Sequence, residues 1–187
     1  MTRIPVVLLL FLLGAAPVAA ADDVLDAIEQ ARKAYQSGDL ANAKQSLDLA
    51  SQLIGQKNAE AFSALLPAPL PGWQGEKAQT AAVGTGGFGA STASRTYTNA
   101  KGDTVEVQIT GDSAMVMQFA TFLSNPQIAG AMGKIVRVGS QRGIQNPEGD
   151  INMVIANKYM VVVSGSADAA AKMAYAQAVD VGKLSKM

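Results

Sequence analysis

Histidine and cysteine, which supply most neutral-pH bases, nucleophiles and soft metal ligands, are absent from all 187 positions. There is therefore no Ser-His-Asp triad, no Cys-His pair, no thiolate and no ordinary zinc site. Gly111-Asp112-Ser113 has the composition of a nucleophile's neighbourhood, but no Ser-x-x-Lys pair replaces the missing histidine, and Ser113 reads as the cap of the apolar run after it. Asp103, Glu106, Asp112, Glu148 and Asp150 are candidate carboxylates for sugar hydrolysis, which needs two of them facing each other in a cleft. Four stand in or beside turns, where solvated acids are ordinary. Met115-x-Met117 has the spacing of some thioether copper sites, yet residues two apart on a helix point to different faces, so core filling is the better reading. Gly84-x-Gly86-x-x-Gly89 matches the form of a dinucleotide fingerprint but opens no helix, and reads as a flexible loop. Phe88 near its end is an aromatic able to close over a ligand, which makes Gly86, Gly87 and Phe88 a candidate ligand-gating loop. No catalytic, cofactor-binding or metal-binding residue emerges, and the expectation is a protein that is not an enzyme.

The elements that would position any site divide at Leu65–Trp73. Pro67, Pro69 and Pro71 each remove a backbone donor and push their predecessors toward extended conformations, so no helix passes through. Residues 67–73 form a proline-rich joint ending on the single tryptophan, Trp73. Before it the apolar spacing is helical, and after it strands and glycine-containing turns dominate. Residues 1–21 read as a signal peptide: Arg3, an apolar run from Ile4 to Ala16, and Ala19-Ala20-Ala21 as the cleavage signal after Ala20 or Ala21. That run is shorter than the roughly 20 residues of a membrane span. With no cysteine to carry a lipid, the mature chain is expected without a stable membrane anchor, in the periplasm. Fifteen basic and fifteen acidic residues, spread without a basic stripe, argue against a nucleic-acid partner.

Residues 22–66 read as a helical hairpin plus a short third helix over Asn58–Leu66. Val24, Ile28, Ala31 and Tyr35 mark the first helix, Ser37-Gly38-Asp39 the turn, and Leu40, Ala43, Leu47, Ala50 and Ile54 the second. The run Ala31-x3-Tyr35-x2-Gly38-Asp39-Leu40-x2-Ala43-x3-Leu47-x2-Ala50, within residues 24–54, resembles a tetratricopeptide-type hairpin. A single copy cannot stack as a repeat array does, so its apolar face needs the rest of the chain or another chain. Tyr35, Leu40 and Leu47 are the expected partner surface, used by a protein partner or in self-association.

Residues 74–187 read as an α+β domain. Val105, Val107 and Ile109 alternate, as do the residues of 150–156 and 159–164, while Ala114–Leu123 and Ala167–Lys183 read as helices. Val105–Met115 and Met160–Ala170 share an outline of strand, glycine, polar cap and helix. The expected fold is an antiparallel sheet of five to six strands with two main helices on one face. The Pro-x-Pro-x-Pro-Gly-Trp joint and overall layout resemble uncharacterised exported proteins of Gram-negative bacteria. The expected function is protein interaction or an accessory role in the cell envelope; the alternative is a binding module for a small apolar ligand or lipid, held between the sheet and the 114–123 helix. Intact-mass analysis of protein from an exporting bacterial host should give a chain beginning at Ala21 or Asp22. A mass retaining Met1 to Ala20 would refute the signal reading.

Overall fold

The computed structural model describes residues 22–82, 90–111 and 113–187. Helix α1 (Asp23–Gln36) is capped by Asp22, whose carboxylate accepts from the Val24 N–H at 3.1 Å. Gly38 turns the chain at a φ of +80°, a conformation glycine adopts without penalty. Helix α2 (Leu40–Ser63) is capped by Asp39, which accepts from the Asn42 N–H at 3.1 Å. The expected third helix over Asn58–Leu66 is absent as a separate element, because α2 continues unbroken to Ser63. Gly55 sits inside the helix at a cost of about 1 kcal/mol in propensity. Packing explains its presence: a Cβ there would lie 3.1 Å from the Ala82 Cβ, so the glycine lets strand β2 close on the helix.

The strands are β1 (Trp73–Gly75), β2 (Gln79–Ala82), β3 (Ser91–Asn99), β4 (Thr104–Gly111), β5 (Lys134–Val138), β6 (Gln141–Gln145), β7 (Ile151–Ile155) and β8 (Tyr159–Ser164). They form an antiparallel sheet in the order β1-β3-β4-β8-β7-β6-β5, with β2 also paired to β3 beyond β1. Eight strands replace the expected five to six because β1 and β2 are edge pieces of three and four residues. Such pieces are too short to show a period of two. The central pair is β4 with β8, Ile109 opposite Val161. The two strand-glycine-cap-helix units thus meet side by side in the middle of the sheet.

Strict alternation decides which face is buried. Val105, Val107 and Ile109, with Met153, Val161 and Val163, face a core completed by Phe62 of α2 and by Tyr175 and Ala176 of α5 (Ala169–Ala178). Phe62 reaches this core because Gly111 has no side chain: a Cβ there would stand 2.6 Å from the Phe62 ring and 2.9 Å from Tyr159. Phe62 then meets Tyr159 edge to face at 5.6 Å. Helices α3 (Ala114–Ser124) and α4 (Pro126–Met132) carry the chain from the centre of the sheet to edge strand β5, and their buried Val116, Ala120 and Ala129 stand apart from this core. Ile144, which the register turns away from the main core, is buried beside Gly133 at the end of α4. Helix α6 (Val181–Leu184) closes the chain with Leu184 in the main core.

The proline joint is fixed by tyrosines. The Tyr97 hydroxyl donates to the Pro67 carbonyl at 2.6 Å, and the Leu70 N–H donates to the Tyr175 hydroxyl at 3.2 Å. Trp73 packs edge-on against Tyr175 at 5.4 Å, and the Tyr97 and Tyr175 rings lie 4.3 Å apart. Burial pushes the Tyr97 phenol up to about 12 from its ordinary 10.0. Between those values the unfolded chain gives up this proton while the folded chain keeps it, so stability falls as pH rises, by at most about 1.4 kcal/mol per pH unit. Denaturant titrations at pH 10 and 12 should show that loss in the wild type and a smaller one in Tyr97→Phe. The residue of the effect belongs to Tyr175, whose phenol burial also raises. Equal slopes in both proteins would refute the assignment.

Candidate functional site

The hairpin buries its small residues and exposes its large ones. Val24, Ala27 and Ala31 of α1 meet Ala43 and Ala50 of α2 in the buried seam. Leu25, Ile28, Tyr35, Leu40, Leu47 and Ile54 are left 63, 44, 69, 65, 56 and 45% exposed, and Leu49 46%. On α2, Leu40, Leu47 and Ile54 are spaced by seven and form one row, drifting only about 20° per step. Ala43 and Ala50 form a parallel row turned toward α1. On α1, Leu25, Ile28 and Tyr35 lie to one side of its buried row, and in an antiparallel pair that side coincides with the Leu40–Leu47–Ile54 row of α2. The opposite side carries a separate cleft lined by Asp23, Asp26, Ala27, Gln30, Leu49 and Leu53. Leu25, Ile28, Tyr35, Leu40, Leu47 and Ile54 therefore share one side of the hairpin, and the exposed Leu49 lies on the other.

Helix α1 packs on α2 and on no other element to a comparable extent, whereas the C-terminal half of α2 packs on β2, β3 and β4. The hairpin tip is thus held out from the sheet. Its rim is ionic: Arg32 pairs with Glu29 at 2.7 Å and Lys44 with Asp48 at 2.7 Å. Arg32 holds the Glu29 carboxyl below its usual range, and the Lys57 ammonium, 3.2 Å away, does the same for Asp22. The Asp22–Lys57 pair ties the start of α1 to α2.

Tyr35, Leu40 and Leu47, the expected partner surface, are all exposed, and helical geometry puts them on one side of the hairpin. It adds Leu25, Ile28 and Ile54. The signal for the additions was present: two parallel rows seven apart, one of alanine and one of leucine and isoleucine, imply that the small row takes the close contact. Gly86, Gly87 and Phe88 lie outside the described residues, as does Asp112. Ala82 and Ser91, on the strands to either side of that loop, both stand against Gly55 of α2.

Of the remaining carboxylates, Asp103 accepts from the Asn99 side chain at 2.9 Å within its turn. Glu106 lies on β4 with its side chain on the face away from the main core, as the alternation requires. Asp150 accepts from Lys172 at 2.6 Å, and Lys172, 2% exposed, also donates to the Glu148 carbonyl at 2.8 Å. This ammonium is spent on tying α5 to the β6–β7 turn. Of the Met115-x-Met117 spacing, Met117 is on the surface. Among the described residues no group of three or more acidic side chains is placed to hold a metal ion. A cleft of about 330 Å³ beside α3 is lined by Met117, Ala120, Thr121 and Asn157, and the other described clefts are similar surface features. No described helix is long and apolar enough to cross a membrane.

No protein-family model, curated protein or solved structure matches the chain. The case for a site rests on the geometry of the hairpin alone. For the Lys172 tie, Asp150→Ala strands a buried ammonium and should cost about 3 kcal/mol in denaturant unfolding. Asp48→Ala, at the exposed pair, should cost under about 1 kcal/mol. Similar losses for both would refute the structural role of the Asp150 pair.

Proposed function

We propose that this is an exported, non-enzymatic interaction protein that presents the outer face of its helical hairpin to another polypeptide. What carries the reading is the inverted burial of the hairpin. Six large apolar side chains face solvent on one side of a helix pair whose own seam is closed by alanines. Single exposed leucines need no explanation, but six large apolar residues on one side of a helix pair, rimmed by charges, favour a protein contact surface. The α+β domain serves as the rigid base: it anchors α2 through Phe62 and leaves the tip projecting. An envelope-accessory role fits the same features, with the signal sequence setting the compartment. The alternative, a binder of small apolar ligands, is less well supported. Such sites are typically concave and mostly apolar, whereas the cleft beside α3 counts two polar residues among its four and lies partly on exposed Met117.

Tyr35 and Leu47 stand at the tip and the middle of the face, and a few such residues typically carry most of the binding energy of an interface. Leu40→Glu/Leu47→Glu should change thermal stability little, because both positions are exposed. In gently solubilised cells, native electrophoresis should show the wild-type chain migrating in a larger complex and the double variant losing it. Identical migration of the two at matched expression would sink the proposal.

A further inference from the structure

We infer that the outer face of the β5–β6 edge, with the flank of α4 beside it, docks peripherally and reversibly on an anionic lipid bilayer. The observation behind it is a gap in the acids rather than a run of bases. Residues 113–147 contain Lys134, Arg137 and Arg142 and no aspartate or glutamate. None of these cations has an ion pair among the described residues, and Arg137 donates only to the Gly139 carbonyl at 3.3 Å. Arg137 lies directly opposite Arg142 in the β5–β6 register. Side chains so paired stand about 5 Å apart at Cβ, and like charges there repel. Val136 and Val138 turn toward the main core, so alternation puts Ile135, Arg137 and Arg142 on the outer face. Ile135 is 51% exposed. Helix α4 ends against the same face, since a Cβ at Gly133 would lie 3.0 Å from Ile144, the residue opposite Ile135. Its Ile128 and Met132, one turn apart beside the buried Ala129, are exposed as well.

Exposed isoleucine and methionine beside unpaired cations suit the lipid interface, where apolar tips enter the acyl boundary while the ammonium and guanidinium groups meet phosphates. A polyanion offering charge alone would leave those apolar side chains in water. The rest of the molecule favours the same orientation. Residues 22–63, the hairpin, carry seven acids against four bases. The hairpin reaches the sheet at β2, β3 and β4, whereas β5 is the opposite edge. Six strand spacings separate β2 from β5, roughly 30 Å and several Debye lengths at physiological salt, so the acids of the hairpin do not neutralise the arginines. An anionic surface therefore attracts one edge of the molecule and repels the other, which leaves the hairpin pointing away from the lipid.

The full-length gene product, purified as its host processes it, is floated with phosphatidylethanolamine vesicles containing about a third phosphatidylglycerol, and with vesicles of phosphatidylcholine alone. The wild type should float with the anionic vesicles only, and raising salt from about 0.05 to about 0.5 M should release it. Arg137→Glu/Arg142→Glu should weaken partitioning at least about twentyfold, near fivefold per cation removed, with circular dichroism and thermal midpoint unchanged. Arg137→Gln/Arg142→Gln gives the same comparison if the reversal does not fold. Lys101→Glu/Lys186→Glu, which alters net charge equally at exposed sites elsewhere, should bind within about threefold of the wild type. Ile128→Ser/Met132→Ser should weaken binding at unchanged charge. Failure to float, equal flotation with phosphatidylcholine, or equal loss in the two charge-reversed variants overturns the inference. So does an Ile128→Ser/Met132→Ser protein that binds as the wild type does, which would make this face a site for an acidic macromolecule instead. The inference is independent of the hairpin reading: Leu40→Glu/Leu47→Glu should still float, and its release would count against the bilayer assignment.

Discussion

Helix α2 has two neighbours that require different things of it, and the architecture follows from how it meets both. Its N-terminal half is the second arm of the hairpin, and its C-terminal half is part of the roof of the sheet. Two glycines make the second contact possible. Gly55 on the helix admits β2, and Gly111 on β4 admits the ring of Phe62. Either position with a larger side chain would lift α2 from the sheet by more than a close-packed interior absorbs without rearrangement. Because α2 is continuous between the two contacts, the orientation of the hairpin is set by the sheet rather than by a flexible linker.

The proline joint supports this arrangement. Pro67, Pro69 and Pro71 reduce the backbone's need for hydrogen-bond acceptors, and the buried Pro67 carbonyl and the half-buried Leu70 amide are met by Tyr97 and Tyr175. The same two tyrosines stack near Trp73, so one aromatic group satisfies the polar backbone and supplies apolar packing. A joint of this kind fixes the end of α2 relative to β1 and β3. The hairpin is then a rigid projection, which limits the entropy lost when its face is covered by another chain.

The alanine seam explains why so much apolar surface remains outside. Alanines allow two helices to approach closely but bury little area each, so the hairpin gains little hydrophobic stabilisation from its own interior. Six of the large residues that would ordinarily fill that interior lie on one flank, and Leu49 lies on the other. Apolar surface left in water is unfavourable, and the six-residue flank carries more of it than the seam buries with its alanines.

Much of this was determined by the sequence alone. The absence of histidine and cysteine removed whole classes of catalysis, the prolines marked the joint, and the alternation of Val105, Val107 and Ile109 identified the central strand. Helical spacing located both arms of the hairpin, because that period is a local property of the backbone. Tertiary structure decided what local periodicity does not carry. The alanine and leucine rows of α2 have the same spacing, and only the position of α1 selects which is buried. Gly55 is a poor helix residue by local propensity, and only the approach of β2 shows it as a contact. Lys172 and Asp150 are 22 residues apart, and Phe62 and Gly111 farther still, so neither pairing leaves a trace in any short window of sequence. Those long-range contacts fix which side of the hairpin faces outward, and with it the surface available for a partner.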